Sequence, residues 1–200
     1  MYDPAELAPF LSELSLEGPL EPFLVFADWL QARGDPWGEL IALQCQPSTH
    51  DEHHKKTLAL ASFGILERVA DTLCPRDQAV GISWRRGFVA VIAFGDAFGP
   101  AWLGDELARL FASPVTALCT ELSFTGAHLD DDYVQPILRF KSRLERIPKL
   151  DLENNWFSPS VVAGLRAAFP NARVALQHGE DEGPSERVVL VKSWDDRGDG

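Results

Sequence analysis

His50 and His54 stand four positions apart in the segment HDEHH, a spacing at which two imidazoles on one helical turn can hold a metal ion. No third ligand is evident nearby. Asp51 and Glu52 suit a polar first helical turn that complements the helix dipole, so these histidines are expected to be solvated rather than ligating. The run Asp130-Asp131-Asp132 has the charge for calcium but lacks the remaining loop ligands, and a solvated helix start accounts for it better. Cys45, Cys74 and Cys119 are odd in number and far apart. They are expected to be small buried hydrophobes in a reducing compartment, not staples or zinc ligands. No P-loop, G-x-G-x-x-G or G-x-S-x-G pattern is present, and RGD at 197–199 is a three-residue match in an acidic tail. The expectation is a chain without catalysis, metal or other cofactor. An enzyme of unassigned chemistry, with a site between the two halves described below, is the alternative.

The charge balance narrows the partners. A net charge of -12 argues against nucleic acid as a partner, because phosphate binding needs clustered Lys and Arg. The first fifty residues hold eight carboxylates and one basic residue, Arg33, which also disfavours a DNA-reading helix–turn–helix. The balance suits a protein partner of basic character. The opening MYDPAELAPF has neither a basic n-region nor a long apolar run, and no stretch reaches the length of a membrane span. Those features predict a cytoplasmic protein without a membrane partner.

The elements that would carry a binding surface come next. Asp3-Pro4 makes an N-cap and first helical position, followed by Leu7, Phe10, Leu11 and Leu14 at helical spacing, with Gly18-Pro19 as the stop. Phe23, Phe26, Trp29 and Leu30 place a second helix over 21–33, and Gly34 suits the left-handed residue that ends it. Asp35-Pro36 starts a third helix that ends near Pro47, and residues 51–75 continue as a fourth. Together, 1–75 are expected to form one helical domain.

The second half repeats. VAVIAFGDAF (89–98), CTELSFTGAHL (119–129), IPKLDLENNWF (147–157) and NARVALQHG (171–179) each carry an apolar–x–apolar pair. These pairs are Ile92 and Phe94, Leu122 and Phe124, Leu150 and Leu152, and Val174 and Leu176. Their first members are 30, 28 and 24 residues apart, in or near the leucine-rich-repeat range. In the third segment, Ile147, Leu150, Leu152, Asn155 and Phe157 occupy the five pattern positions. In the second, Ala127 replaces the Asn, so an amide that would satisfy turn backbone is lost. Helical stretches at 100–112, 130–140 and 158–169 separate the segments. The expected fold class is therefore α/β: an N-terminal helical cap on a short leucine-rich-repeat-like solenoid with parallel strands over 76–195, then a disordered tail at 196–200. Residues 75–88 are expected to be a connection, and RVVLVKSW (187–194) a strand that closes the last edge. The acidic, Gly-containing 178–186 and 195–200 are expected to be mobile. Helices at the head of the array would cover an apolar end that no neighbouring coil buries.

The stretch LVFADWLQARGDPWGELIALQ (24–44) resembles the signature of a bacterial repeat-companion domain, L-V-[FY]-A-D-W-L-E-E-R-G-D-P-R-G-E-[FL]-I-x-L-Q. WRRGFV (84–89) resembles the segment that introduces the leucine-rich-repeat-like half in that family. The sequence departs from the signature at Gln31, Ala32 and Trp37, where Glu, Glu and Arg are usual. Trp37 is expected either to pack on the repeat half or to be an exposed contact. The resemblance brings no shared catalytic residue, and it implies structural roles, capping or ion-paired, for Asp28 and Arg33.

In a repeat of this kind the strand residues flanking each apolar pair point to the concave face. Those are Glu121, Ser123 and Thr125, then Lys149, Asp151 and Glu153, then Arg173 and Gln177. With the small Val91, Ala93 and Gly95 of the first coil they would make a patch that is smooth at one end and acidic in the middle. Strands about 4.8 Å apart would set these side chains in adjacent rows. The expected function is a non-catalytic cytosolic protein–protein interaction module using that face. An immunity or inhibitor protein that neutralises a basic toxin or enzyme is the alternative.

Overall fold

The computed structural model of the chain describes residues 2–46, 52–73, 79–175 and 177. Four helices come first: α1 (Pro4–Leu11), α2 (Glu21–Gln31), α3 (Pro36–Gln44) and α4 (Glu52–Leu73). Their starts follow the caps. The Asp3 side chain accepts from Ala5 N–H, and Asp35 from Trp37 N–H, each with a proline at the next position. Gly34 takes φ +71° just after α2. Helix α1 stops at Leu11, earlier than the sequence predicts. Pro9 within it donates no backbone hydrogen bond, and the Ser12 hydroxyl turns back onto the Pro9 carbonyl at 2.9 Å. Leu14 and Leu16 are still buried, in the turn that follows.

Among the described residues, the second half is an open, four-stranded, mixed sheet in the order β1 (Val80–Arg85), β2 (Phe88–Phe94), β3 (Glu121–Ser123), β4 (Lys149–Asp151). Strands β2, β3 and β4 are parallel, with Ile92, Leu122 and Leu150 in register side by side. Beyond β4, Arg173 makes a further parallel bridge to Asp151, which brings the buried Val174 to that edge. The all-parallel expectation fails at the other edge. Residues 80–85, expected to be a connection, form β1, which runs antiparallel to β2. Arg86 (φ +53°) and Gly87 (φ +79°) form the two-residue turn between them, the backbone of a type I′ hairpin. An arginine in that left-handed position is unusual. Its guanidinium donates to the carbonyls of Gly18 (2.8 Å) and Ser15 (3.4 Å) and lies over the Phe23 ring, which holds it there.

Helices α5 (Pro100–Ala112), α6 (Val134–Arg139), α7 (Lys141–Leu144) and α8 (Pro159–Ala168) connect or follow the strands. Pro136 lies in the first turn of α6, where a missing N–H is tolerated, and that helix is only six residues long. Leu103, Leu107 and Leu110 of α5, Ile137 of α6 and Leu165 of α8 share one core with Ile92, Phe94, Leu122, Phe124, Leu150 and Leu152. The same core continues without a break into Phe23, Phe26, Leu30, Leu40 and Ile41 of the helical half.

The join between the halves is centred on Trp37, which is fully buried. Its ring packs edge-on against Phe26 and Phe88, with centroids 5.1 and 5.2 Å away. Of the two expectations for this residue, packing on the repeat half is the one found. Gly87 is held by α3 from three directions. Its N–H donates to Gln44 Oε1 (2.7 Å), its carbonyl accepts from Trp37 Nε1 (2.6 Å), and its Cα faces Ile41, whose Cγ1 would lie 2.3 Å from any Cβ.

His50, Asp51, Cys74, Leu176, the segment RVVLVKSW (187–194), RGD (197–199), and 178–186 with 195–200 lie outside the described residues. Among the described residues, no helix is long and apolar enough to cross a membrane.

Candidate functional site

Strand alternation sets what the sheet offers. Ile82, Ile92, Leu122 and Leu150 line up on the core side, so their neighbours Gly81, Ser83, Val91, Ala93, Glu121, Ser123, Lys149 and Asp151 line up on the open side. Register pairs Val91 with Glu121 and Glu121 with Lys149 in one row. It pairs Ala93 with Ser123 and Ser123 with Asp151 in the next, extended by the Asp151–Arg173 bridge. The structure thus brings Glu121, Ser123, Lys149, Asp151 and Arg173 onto one face.

Each carboxylate of the expected acidic centre has a cationic partner. Lys149 Nζ is 2.7 Å from Glu121 Oε1, and Arg173 reaches both Glu153 (2.8 Å) and Asp151 (3.5 Å). The two cations are the outer members: the side chains of Lys149 and Arg173 are 49% and 57% exposed, those of Asp151 and Glu153 only 10% and 12%. Two cations thus stand against three carboxylates in the middle of the face, with the basic heads outward. Such exposed pairs contribute little to stability, about 0–1 kcal/mol each.

Three of the expected binding residues also hold the backbone. Asp151 Oδ1 accepts the Glu153 N–H (3.0 Å), and Ser123 Oγ accepts that of Thr125 (3.3 Å). Gln177 donates to the Leu152 and Ala175 carbonyls and accepts from Asn155 N–H, so it ties down the last edge. Thr125 is exposed at the end of its row.

A second feature lies where the parallel strands end, and strand reasoning did not find it. The turns after β2, β3 and β4 stack into a rim. Asn155, fully buried, locks two of them: its Oδ1 accepts Leu129 N–H, while its Nδ2 donates to the carbonyls of Phe124, Leu152 and Glu153. Trp156 N–H donates to the Leu129 carbonyl (2.7 Å), and Ala97 N–H to that of Ala127 (3.3 Å). On this rim His128, at φ +57°, places Nδ1 2.6 Å from Asp96 Oδ1 and sets its ring edge-on to Trp156, centroids 5.5 Å apart. Trp156 is 48% exposed and Phe98 69%, the latter packed edge-on to Trp102. The available signal was positional: Asp96, His128 and Trp156 follow successive apolar pairs, in the turns rather than the strands.

The remaining sequence candidates have structural settings. Asp130 accepts the Asp132 N–H and Asp131 that of Ser158, so the acidic run organises a turn and a helix start. Among the described residues, no group of three or more His, Cys, Asp or Glu side chains is arranged to hold a metal. Burial raises the thiol pKa of Cys45 and pushes that of Cys119 up to about 11, which suppresses the nucleophilic thiolate. Arg33 stacks on the Trp29 ring at 3.6 Å and donates to the Trp29 carbonyl (3.2 Å), a capping contact, while Asp28 is exposed. A hollow between Leu144, Glu145, Leu150 and Phe169 is lined by no His, Asp or Cys.

No family model matches the chain, and neither does any curated protein or solved structure.

Proposed function

We propose that this chain is a non-catalytic protein–protein interaction module. In this reading a repeat-companion-like helical domain caps a short leucine-rich-repeat-like array in the cytoplasm. The observation that carries it is the in-register alignment of Val91, Glu121 and Lys149 on three parallel strands, a rigid polar face laid over one continuous core. Such faces are commonly used for partners because each row is fixed by its backbone before binding. The buried, hydrogen-bonded thiol of Cys119 and the backbone roles of Asp130 and Asp131 also favour binding over catalysis.

An immunity or inhibitor role toward a basic protein is the second reading. The net charge of -12 favours it, because long-range attraction speeds encounter with a cationic partner. The test for the face is a pulldown with the wild type beside the charge-swapped double variant Glu121→Lys, Lys149→Glu. The swap keeps an ion pair on the sheet and reverses what a partner meets. Loss of specific partners supports the module reading. Recovery of the same partners by both proteins removes this face from the function.

A further inference from the structure

We infer that the rim built around Trp156 and Phe98 binds an arginine-bearing segment of a basic protein; this rests on the reading of the chain as a protein-interaction module. The rim presents two large exposed aromatic side chains on a frame already fixed by backbone hydrogen bonds and by Asn155. Pre-ordered aromatic surface is what interface anchors are made of, since little side-chain freedom is lost on contact. Its surroundings select the partner. The three turn segments 95–98, 125–133 and 153–158 contain no Lys or Arg and hold five carboxylates, Asp96, Asp130, Asp131, Asp132 and Glu153, of which Glu153 is paired with Arg173. The open sheet face is different, because Lys149 and Arg173 turn cationic heads outward there.

The rim already holds a planar ring in the arrangement expected of a ligand. His128 sits between the Asp96 carboxylate and the edge of the Trp156 ring. The half-exposed indole surface lets a planar cation stack on it, with the Asp131 carboxylate, which accepts the Ser158 N–H, in the adjoining turn. Guanidinium stacks on a ring and forks onto a carboxylate, whereas ammonium, compact and strongly hydrated, meets a carboxylate as a point charge without the planar fork and stacks less well on a half-exposed ring. Arginine is therefore the better occupant.

The test uses the full chain and two fluorescently labelled peptides, eight arginines and eight lysines, measured by anisotropy at near-physiological salt. The arginine peptide should bind more tightly than the lysine peptide. Trp156→Ser should weaken the arginine peptide by about tenfold, as loss of an interface aromatic does. The charge-neutral variant Glu39→Gln, Arg68→Gln, which removes an exposed ion pair on the helical half, should leave it unchanged. Where Trp156→Ser lowers the melting temperature, Phe98→Ser and Asp132→Asn, both at exposed positions, take its place and should each weaken binding. Equal affinity for the two peptides, an unaltered affinity in the folded rim variants, or no arginine-peptide binding by the wild type would overturn the proposal. If the rim fails while the Glu121/Lys149 swap still costs the chain its partners, the module reading stands without it. If both fail, the module reading falls as well.

Discussion

The indole N–H of Trp37 donates to the carbonyl of Gly87 across 50 positions of sequence, at 2.6 Å and away from solvent. This contact and the Gln44–Gly87 bond beside it join helix α3 to the turn of the β1–β2 hairpin. The helical half is therefore fastened to the sheet by directional bonds as well as by apolar contact. A partial separation of the halves would leave polar backbone buried without a partner, which opposes any intermediate loosening.

Trp37→Phe keeps the ring and loses the donor. The Gly87 carbonyl is then buried unpaired, and stability should fall by about 1–3 kcal/mol. Trp37→Ala, which also leaves a cavity, should cost about 3–5 kcal/mol. Urea unfolding followed by far-UV circular dichroism reads both. Equal stability of Trp37→Phe and wild type would show that the bond contributes nothing.

Gly87 and Gly126 separate backbone strain from crowding. Both have positive φ, +79° and +69°, but a Cβ at Gly87 meets Ile41 at 2.3 Å, whereas one at Gly126 meets nothing within 4 Å. Gly126→Ala should cost about 1–2 kcal/mol, the left-handed penalty alone. Gly87→Ala should cost about 1–3 kcal/mol more, from overpacking against α3. Thermal melts of the two variants side by side should show this order.

Asn155 tests the lock between turns. Asn155→Asp still accepts from Leu129 N–H but cannot donate to the carbonyls of Phe124, Leu152 and Glu153, and it places a charge in a fully buried position. It should destabilise the chain by about 3 kcal/mol or more, and Asn155→Ala by about 2–3 kcal/mol. Amide hydrogen exchange should show the loss first at Leu129 and its neighbours.

Cys119 gives a pH signature. Burial raises its thiol from 9.0 to about 11, so between those values the unfolded chain gives up a proton that the folded one keeps. Stability from this group is thus full below pH 9 and lost as pH rises through about 11, on the order of 2–3 kcal/mol in all. Cys119→Ala should lack this component, so its stability should fall less steeply than that of the wild type above pH 9. Parallel slopes for the two proteins would contradict the assignment.

Much of this architecture was legible in the chain. Asp3-Pro4, Asp35-Pro36 and Ser158-Pro159 mark helix starts by local chemistry that tertiary structure has no reason to override. The 30- and 28-residue spacings put Ile92, Leu122 and Leu150 on adjoining parallel strands, where one shared core buries all three. Strand β1 was overlooked although Val80, Ile82 and Trp84 alternate with Gly81, Ser83 and Arg85. The turn that reveals the hairpin is Arg-Gly rather than Asn-Gly, and it depends on the Ser15 and Gly18 carbonyls about 70 residues away, at separations of 71 and 68. The site was half legible. Strand parity placed Glu121, Ser123, Lys149 and Asp151 on one face, but parity carries no information on which charge stands outermost. The rim around Trp156 was invisible to a search along strands because its residues lie in turns that meet only after the coils stack.

The antiparallel course of β1 gives the sheet a direction of growth. A coil duplicated in the gene and inserted ahead of β2 would meet a strand of the wrong polarity and a hairpin turn already clasped by α3. One added after Arg173 would continue the parallel direction of the Asp151–Arg173 bridge. Lengthened descendants of this chain should therefore carry their extra units toward the carboxyl end, while the helical head and its hairpin pass through unchanged.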